Sequence, residues 1–230
     1  MTQPLRKTKI VCTMGPNLFE KGLIKPLMLA GMDVARFNFS HDTHENHLKR
    51  FKEVCRIRDE LGLPVATMLD TKGPEIRIGT FAEHRVTLDA GQLFTLTTED
   101  VEGDETRVSV TYKDLPRDVK PGCAILIDDG LVGMTVERVT DTDVCCKVNN
   151  GGTISDKKGV NIPDAHLSMP FISPKDREDI LFAIENGFDF IAASFVRSAA
   201  DVRELRKLLE SRKSRIRIIA KIENQEGINN

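Results

Sequence analysis

The chain has 230 residues, 40% hydrophobic and 30% charged, with a formal net charge of −2 and a sequence pI of about 6.2. That is enough apolar content for one large or two small cores, and so balanced a charge gives no general pull toward nucleic acid or an anionic membrane. One Tyr and no Trp leave few surfaces for stacking bases, and no apolar run approaches the roughly 18 residues of a membrane span.

The first residues, Met1-Thr2-Gln3-Pro4-Leu5-Arg6-Lys7, lack the apolar core of a secretory signal. The five cysteines (Cys12, Cys55, Cys123, Cys145 and Cys146) are odd in number and contain no C-x-x-C pair. Reduced thiols in a cytoplasmic protein are the expectation, with Cys145 and Cys146 on opposite faces of a strand.

Residues 9–70 alternate strand and helix. Ile10 to Met14 reads as a strand ending at Gly15-Pro16, residues 18–30 as a helix stopped by Gly31, and residues 33–40 as a second strand. Residues 44–61 read as a helix capped by Asp42 or Thr43 and ended by Gly62-Leu63-Pro64, and residues 65–70 as a third strand. Such alternation predicts a parallel sheet with helices outside.

The pattern changes at Gly73-Pro74. From there to about 170 the chain has short alternating runs: Arg85–Leu88, Leu93–Thr97, Arg107–Val110, Ala124–Ile127, Met134–Val139 and Val144–Val148. Turn residues such as Asp89-Ala90-Gly91, Asp128-Asp129-Gly130 and Asn149-Asn150-Gly151-Gly152 separate them. No helical period is visible, and a small antiparallel barrel is expected. The α/β pattern then resumes. Residues 174–186 read as a helix with Ser173 as cap and Pro174 first, Phe188 to Phe195 as strand four, residues 199–212 as a helix and residues 216–223 as strand five. The fold expected is therefore an incomplete TIM (β/α)8 barrel, residues 1–73 and 171–230, interrupted by an all-β barrel, residues 74–170. No capped terminal element is expected before Asn230.

Three of these strands end in polar residues. Arg36, Asn38 and Ser40 alternate with Phe37 and Phe39, so a guanidinium, an amide and a hydroxyl share one face. The run from Leu63 ends in Asp70-Thr71-Lys72-Gly73-Pro74-Glu75-Ile76-Arg77, and the fifth strand carries Lys221 and Glu223 two apart. Polar groups are anomalous on a strand buried on both faces but natural at the C-terminal end of a barrel strand. Bland readings stand beside this one: a solvated edge strand for residues 36–40, an ion pair for Lys221 and Glu223, a turn or cap for Asp70-Thr71. Similarly, Asp128-Asp129-Gly130 is also a good hairpin turn, and Lys157-Lys158 reads equally as a solvated charge pair. His44, His47, His84 and His166 read as surface residues.

These segments closely resemble pyruvate kinase along essentially the whole chain. The resemblance is carried by Thr8 to Pro16, Arg36 to His41, Asp70 to Arg77, Asn150-Gly151-Gly152, Lys157 to Asn161, Ala193 to Arg197 and Ala220 to Asn224. It implies a (β/α)8 body with an inserted mobile β-barrel lid, of which this chain is the N-terminal part with five barrel strands. The implied activity is phosphoryl transfer from phosphoenolpyruvate to ADP, giving pyruvate and ATP in glycolysis. The parent enzyme is then a cytoplasmic homotetramer using Mg2+ (or Mn2+) and K+, with no nucleic-acid or membrane partner. By the same resemblance Lys221 neutralises the phosphoryl in flight, Arg36 and Arg77 hold phosphates, and Glu223 is one of two acidic Mg2+ ligands, the other lying past Asn230. Asn38, Ser40, Asp70 and the Thr71 carbonyl form a K+ cage, and Glu75 is the residue that goes with K+ dependence. Pro16, His41 and Lys158 contact the nucleotide, and Asp128 swings over the metal–nucleotide. Two departures stand out: Asp42 where the family usually has glycine, and Asp164 near a lid hinge where glycine or asparagine is common. A Mg2+-enolate aldolase or lyase and a non-catalytic ligand-binding product are the alternative functions. The aldolase class lacks the inserted β-domain.

Overall fold

A computed structural model describes residues 7–163 and 165–230, so the readings made at residues 1–6 and at Asp164 lie outside the described residues. The chain divides into two compact units, one of residues 1–73 and 171–223 and the other of residues 74–170 and 224–230.

In the first unit β1 (Val11–Thr13) is followed not by one helix but by two, α1 (Pro16–Glu20) and α2 (Ile24–Ala30). Gly22 takes a φ of +63° between them. A continuous helix would require a donor at Pro26, which has none; restarting at Ile24 puts Pro26 in the first turn, where no donor is needed. β2 (Val34–Asn38) leads to α3 (His44–Leu61) and β3 (Ala66–Asp70). Thr43 is the cap of α3, its hydroxyl accepting from the Asn46 amide at 3.3 Å.

The second unit contains β4 (Ile76–Arg77), β5 (Arg85–Leu88), β6 (Leu93–Thr97), β7 (Arg107–Ser109), one helical turn α4 (Leu115–Asp118), β8 (Ala124–Ile127), β9 (Val132–Val139), β10 (Asp143–Val148), β11 (Gly152–Ser155) and β12 (Gly159–Asn161). Seven strands run in the order β4-β12-β8-β9-β10-β6-β7, with β11 and β5 forming a separate pair. An antiparallel bridge between Ile78 and Val110 joins the two edges of the larger sheet and closes it. The expectation of a purely antiparallel barrel is corrected at β6 and β7, which pair in parallel, and the helical turn at α4 was not legible. The core is Phe94, Leu96, Ile125, Ile127, Met134 and their neighbours.

The first unit resumes with α5 (Pro174–Asn186), β13 (Phe190–Ala193), α6 (Ala199–Ser211) and β14 (Arg217–Ala220). Ser173 caps α5 with a 3.0 Å bond from the Asp176 amide, and Asp176 returns a contact to the Ser173 hydroxyl. The strand order β1-β2-β3-β13-β14 is wholly parallel and follows the chain, as successive β/α units of an incomplete α/β barrel require. Behind β2, Phe37 and Phe39 are fully buried and meet Phe51 and Phe188, while Arg36 and Asn38 face the other way.

A last helix, α7 (Gln225–Asn229), is capped by Asn224, whose side chain accepts from Gly227 at 2.7 Å. The expectation of no capped terminal element is thereby corrected. Residues 224–230 group with the β unit rather than with residues 171–223, and His166 pairs with Glu226 at 3.0 Å. Among the described residues no helix is long and apolar enough to cross a membrane, and all five cysteines are free thiols.

Candidate active site

The polar strand ends of the first unit converge. Strand register places Asn38 beside Asp70, Asp70 beside Ala192 and Ala193 beside Ala220, so the residues just beyond β2, β3, β13 and β14 share the C-terminal edge of one parallel sheet. Asp70 is the hub. Arg36 donates to its Oδ2 from Nε at 2.6 Å and from a terminal nitrogen at 2.5 Å. Lys221 Nζ reaches Oδ1 at 3.0 Å, and the Ser194 hydroxyl lies 3.2 Å from that same oxygen.

The carboxylate is 2% exposed while the Arg36 and Lys221 side chains are 28% and 29% exposed. One buried anion therefore pins two cations whose side chains are still partly open to solvent. Thr13 fixes the remaining Arg36 terminal nitrogen at 2.8 Å. Lys221 uses its other hydrogens on the Ser194 hydroxyl at 2.8 Å and Glu223 Oε1 at 3.2 Å.

Lys221 and Glu223 lie just past β14 rather than within a strand reaching 223. Backbone bonds from Lys221 to Ala193 and from Val196 to Lys221 stitch this segment to the turn after β13. In that turn Phe195 has a φ of +56°, and its amide donates to Glu223 Oε2 at 2.9 Å. Thr71 is held by its amide on Ala192 O at 3.0 Å, and its carbonyl accepts from Ser194 at 2.7 Å. Asn38 Oδ1 accepts from the Ser40 amide at 3.1 Å. Pro16 opens α1, and His41 follows β2.

The second unit holds the other predicted residues. Arg77 pairs with Glu75 and donates to the Lys157 carbonyl at 2.6 Å. Asp128 pairs with Lys158 at 3.0 Å. Asp128, Asp129 and Gly130 all have positive φ, and Leu131 bonds back to Asp128, so this segment is the hairpin turn between β8 and β9, as its composition allows.

Ser194 and Thr13 were not singled out from sequence. Ser194, 3% exposed, carries the signal used elsewhere: a polar residue ending an apolar strand. The surface reading fails for His47, which is 3% exposed and stacks on Phe39 with centroids 4.1 Å apart; the apolar wall between β2 and α3 takes it in. His44 is partly exposed but bonded to buried Asp179 at 2.6 Å. His84 is exposed and pairs with Asp156. A cavity of about 1100 Å³ lies at the opposite, N-terminal end of β3, β13 and β14, lined by Arg58, Asp189, Arg212, Arg215 and Arg217, and holds none of the predicted residues.

The parallel α/β sheet and its charged C-terminal edge define the barrel-enzyme class, in which chemistry is built at that edge. The family described as pyruvate kinase, barrel domain, matches residues 5–230, and the chain belongs to it. It is 44% identical over 228 residues to a pyruvate kinase of Clostridium acetobutylicum, covering 98% of this chain and 48% of that protein. It is 46% identical over 228 residues to one of Staphylococcus aureus, covering 98% and 39%. A crystal structure of a pyruvate kinase from Cryptosporidium parvum superposes with a TM-score of 0.88 at 39% identity, covering 98% of this chain and 48% of that one. The chain thus spans about half the length of these relatives or less.

Proposed function

We propose that the chain is part of an enzyme that transfers the phosphoryl group of phosphoenolpyruvate to ADP, giving pyruvate and ATP. The observation that carries this is the Asp70 hub, which holds Arg36 and Lys221 side by side with each side chain partly exposed. Phosphoryl transfer asks chiefly for preorganised charge around oxygens. Arg36 offers a fork suited to phosphate oxygens, and Lys221 a compact ammonium beside it. An arriving phosphoryl group would replace part of the carboxylate's hold on these cations, so positive charge is in place before the reaction needs it. Glu223, fixed by the Phe195 amide, orients Lys221 and remains an acidic oxygen donor at the same edge.

The donor chemistry fits two cations. Glu223 suits Mg2+, which takes one or two carboxylates and completes its shell with water and substrate phosphates; among the described residues no three His, Cys, Asp or Glu side chains are grouped so that they could hold a metal ion by themselves. The oxygens of Asn38, Ser40, Asp70 and Thr71 suit K+. Bound there, the metals would supply counter-charge for the phosphates. In the second unit we assign Arg77 to phosphate binding, Lys158 and Asp128 to the nucleotide, and a lid role to residues 74–170. Pro16 and His41 are assigned to the nucleotide from the first unit.

The test is pyruvate formation, coupled to a dehydrogenase, by protein containing this segment within a complete barrel, with Mg2+ and K+ present. Turnover that falls with Lys221→Ala is expected. A folded complete protein that forms no pyruvate would sink the proposal. The 230-residue chain by itself is expected to be inactive, since the resemblance places the second acidic ligand outside it.

A further inference from the structure

The loop leaving β2 turns at Asp42, whose φ of +72° lies in the left-handed region, a conformation that costs a residue with a Cβ. Its carboxylate gathers the local donors. Oδ1 accepts from the Thr43 amide at 2.8 Å and the Asn46 side chain at 2.7 Å, and Oδ2 accepts from Arg50. These bonds, Asn46 first and then Arg50, hold the carboxyl well below the usual carboxylate range.

Arg50 is itself constrained. Its side chain is 11% exposed, and its Nε is the one buried side-chain nitrogen or oxygen without a partner among the described residues. An orphaned donor is costly, so this placement is maintained by what the rest of the guanidinium does. Besides Asp42, it reaches His47 Nδ1 at 3.4 Å, and His47 Nε2 lies 2.9 Å from the His41 carbonyl. A carbonyl only accepts, so Nε2 carries the hydrogen and Nδ1 accepts from Arg50. Burial keeps the His47 pKa low and the ring neutral. The ring itself is fixed by its stack on Phe39. Asp42 and the His41 carbonyl, flanking one peptide unit, are thus both tied to Arg50, one directly and one through His47.

We propose that Asp42, Arg50 and His47 form a clamp that holds the loop at His41 in its left-handed turn, and are positioning residues for the contact His41 makes with a nucleoside diphosphate. The nucleotide half rests on the assignment of His41 above; the clamp does not.

The experiment is hydrogen exchange by mass spectrometry on the peptide covering residues 39–47 of the 230-residue chain, without nucleotide, with far-UV circular dichroism to check folding. Asp42→Ala keeps the strain and loses the carboxylate, whereas Asp42→Gly loses both. Exchange about tenfold faster in Asp42→Ala than in wild type is expected, with Asp42→Gly well below it, because glycine adopts positive φ freely. Arg50→Met should exchange faster too, and adding Asp42→Gly to it should restore slow exchange. If Arg50 only packs its stem, the double variant will exchange as fast as Arg50→Met; that result, or wild-type exchange in Asp42→Ala, overturns the clamp. Should Arg50→Met not fold, the Ala and Gly pair at position 42 decides alone. A parallel titration with Mg–ADP on protein containing the complete barrel should show weaker binding in Asp42→Ala, recovery in Asp42→Gly and unchanged phosphoenolpyruvate binding. The predicted exchange pattern with ADP binding unaltered upholds the clamp and removes the nucleotide role of His41.

Discussion

Replacing Asp70 by Asn removes the anion that pins Arg36 and Lys221 while keeping nearly the same shape. The carboxylate is 2% exposed and makes two charge-assisted bonds to Arg36, at 2.6 and 2.5 Å, and one to Lys221 at 3.0 Å. Breaking a buried pair by removing one partner costs about 3–5 kcal/mol. Both cations here are a little over a quarter exposed, so water takes back part of that, and a loss of about 2–3 kcal/mol is expected for the first unit. With a urea slope of about 2 kcal/mol/M, the midpoint should fall by about 1–1.5 M.

The two units can be followed separately. Tyr112, the chain's single tyrosine, lies in the β unit, where its hydroxyl bonds Asp118 and Ser168. The long helices α3, α5 and α6 all belong to the other unit. Ellipticity at 222 nm should therefore shift to lower urea in Asp70→Asn while the tyrosine fluorescence transition stays in place. A shift below about 0.3 M in the ellipticity curve would mean that Asp70 is not the hub its contacts describe.

Three further outcomes are expected. In protein with the complete barrel, Lys221→Ala should lower kcat by about 10² or more with little change in phosphoenolpyruvate affinity, because it removes preorganised charge needed in the transition state; kcat within about tenfold of wild type would contradict the role. The same protein should lose activity when K+ is replaced by a bulky organic cation, as Glu75 and the oxygens of Asn38, Ser40, Asp70 and Thr71 imply; full activity without K+ would refute the cage. His47 has a folded-state pKa lowered chiefly by burial, so the unfolded chain binds the proton more readily. Its contribution is complete above its unfolded value of about 6.5 and is lost as pH falls through the lower folded value. Urea midpoints read by ellipticity should fall more between pH 7.5 and 5 in wild type than in His47→Gln, and equal falls would count against a buried neutral ring.

Local features of the fold were readable because their causes are local. The Ser173 cap with Pro174 behind it and the Gly187 stop bounded α5 to the residue, and the alternation of Arg36, Asn38 and Ser40 with two phenylalanines announced a strand with one polar face. The charged ends of β2, β3 and β14 were visible for the same reason. What the one-dimensional pattern did not contain was which side chains meet across the neighbouring strands it predicted. Asp70 and Lys221 are 151 residues apart, and only the parallel order β2-β3-β13-β14 makes one carboxylate serve two cations and brings in Ser194. Likewise the parallel pairing of β6 with β7 was not visible in the residues of either strand. His47 reads as polar until Phe39 and α3 pack together; burial then decides its tautomer, its charge and its partners. The sequence by itself determined most of the longer elements and the kinds of polar group at their ends, while the break between α1 and α2, the α4 turn and α7 were not legible in it. The tertiary structure decided which groups meet, because hydrogen bonds and ion pairs form only between atoms that packing brings within about 3 Å of each other.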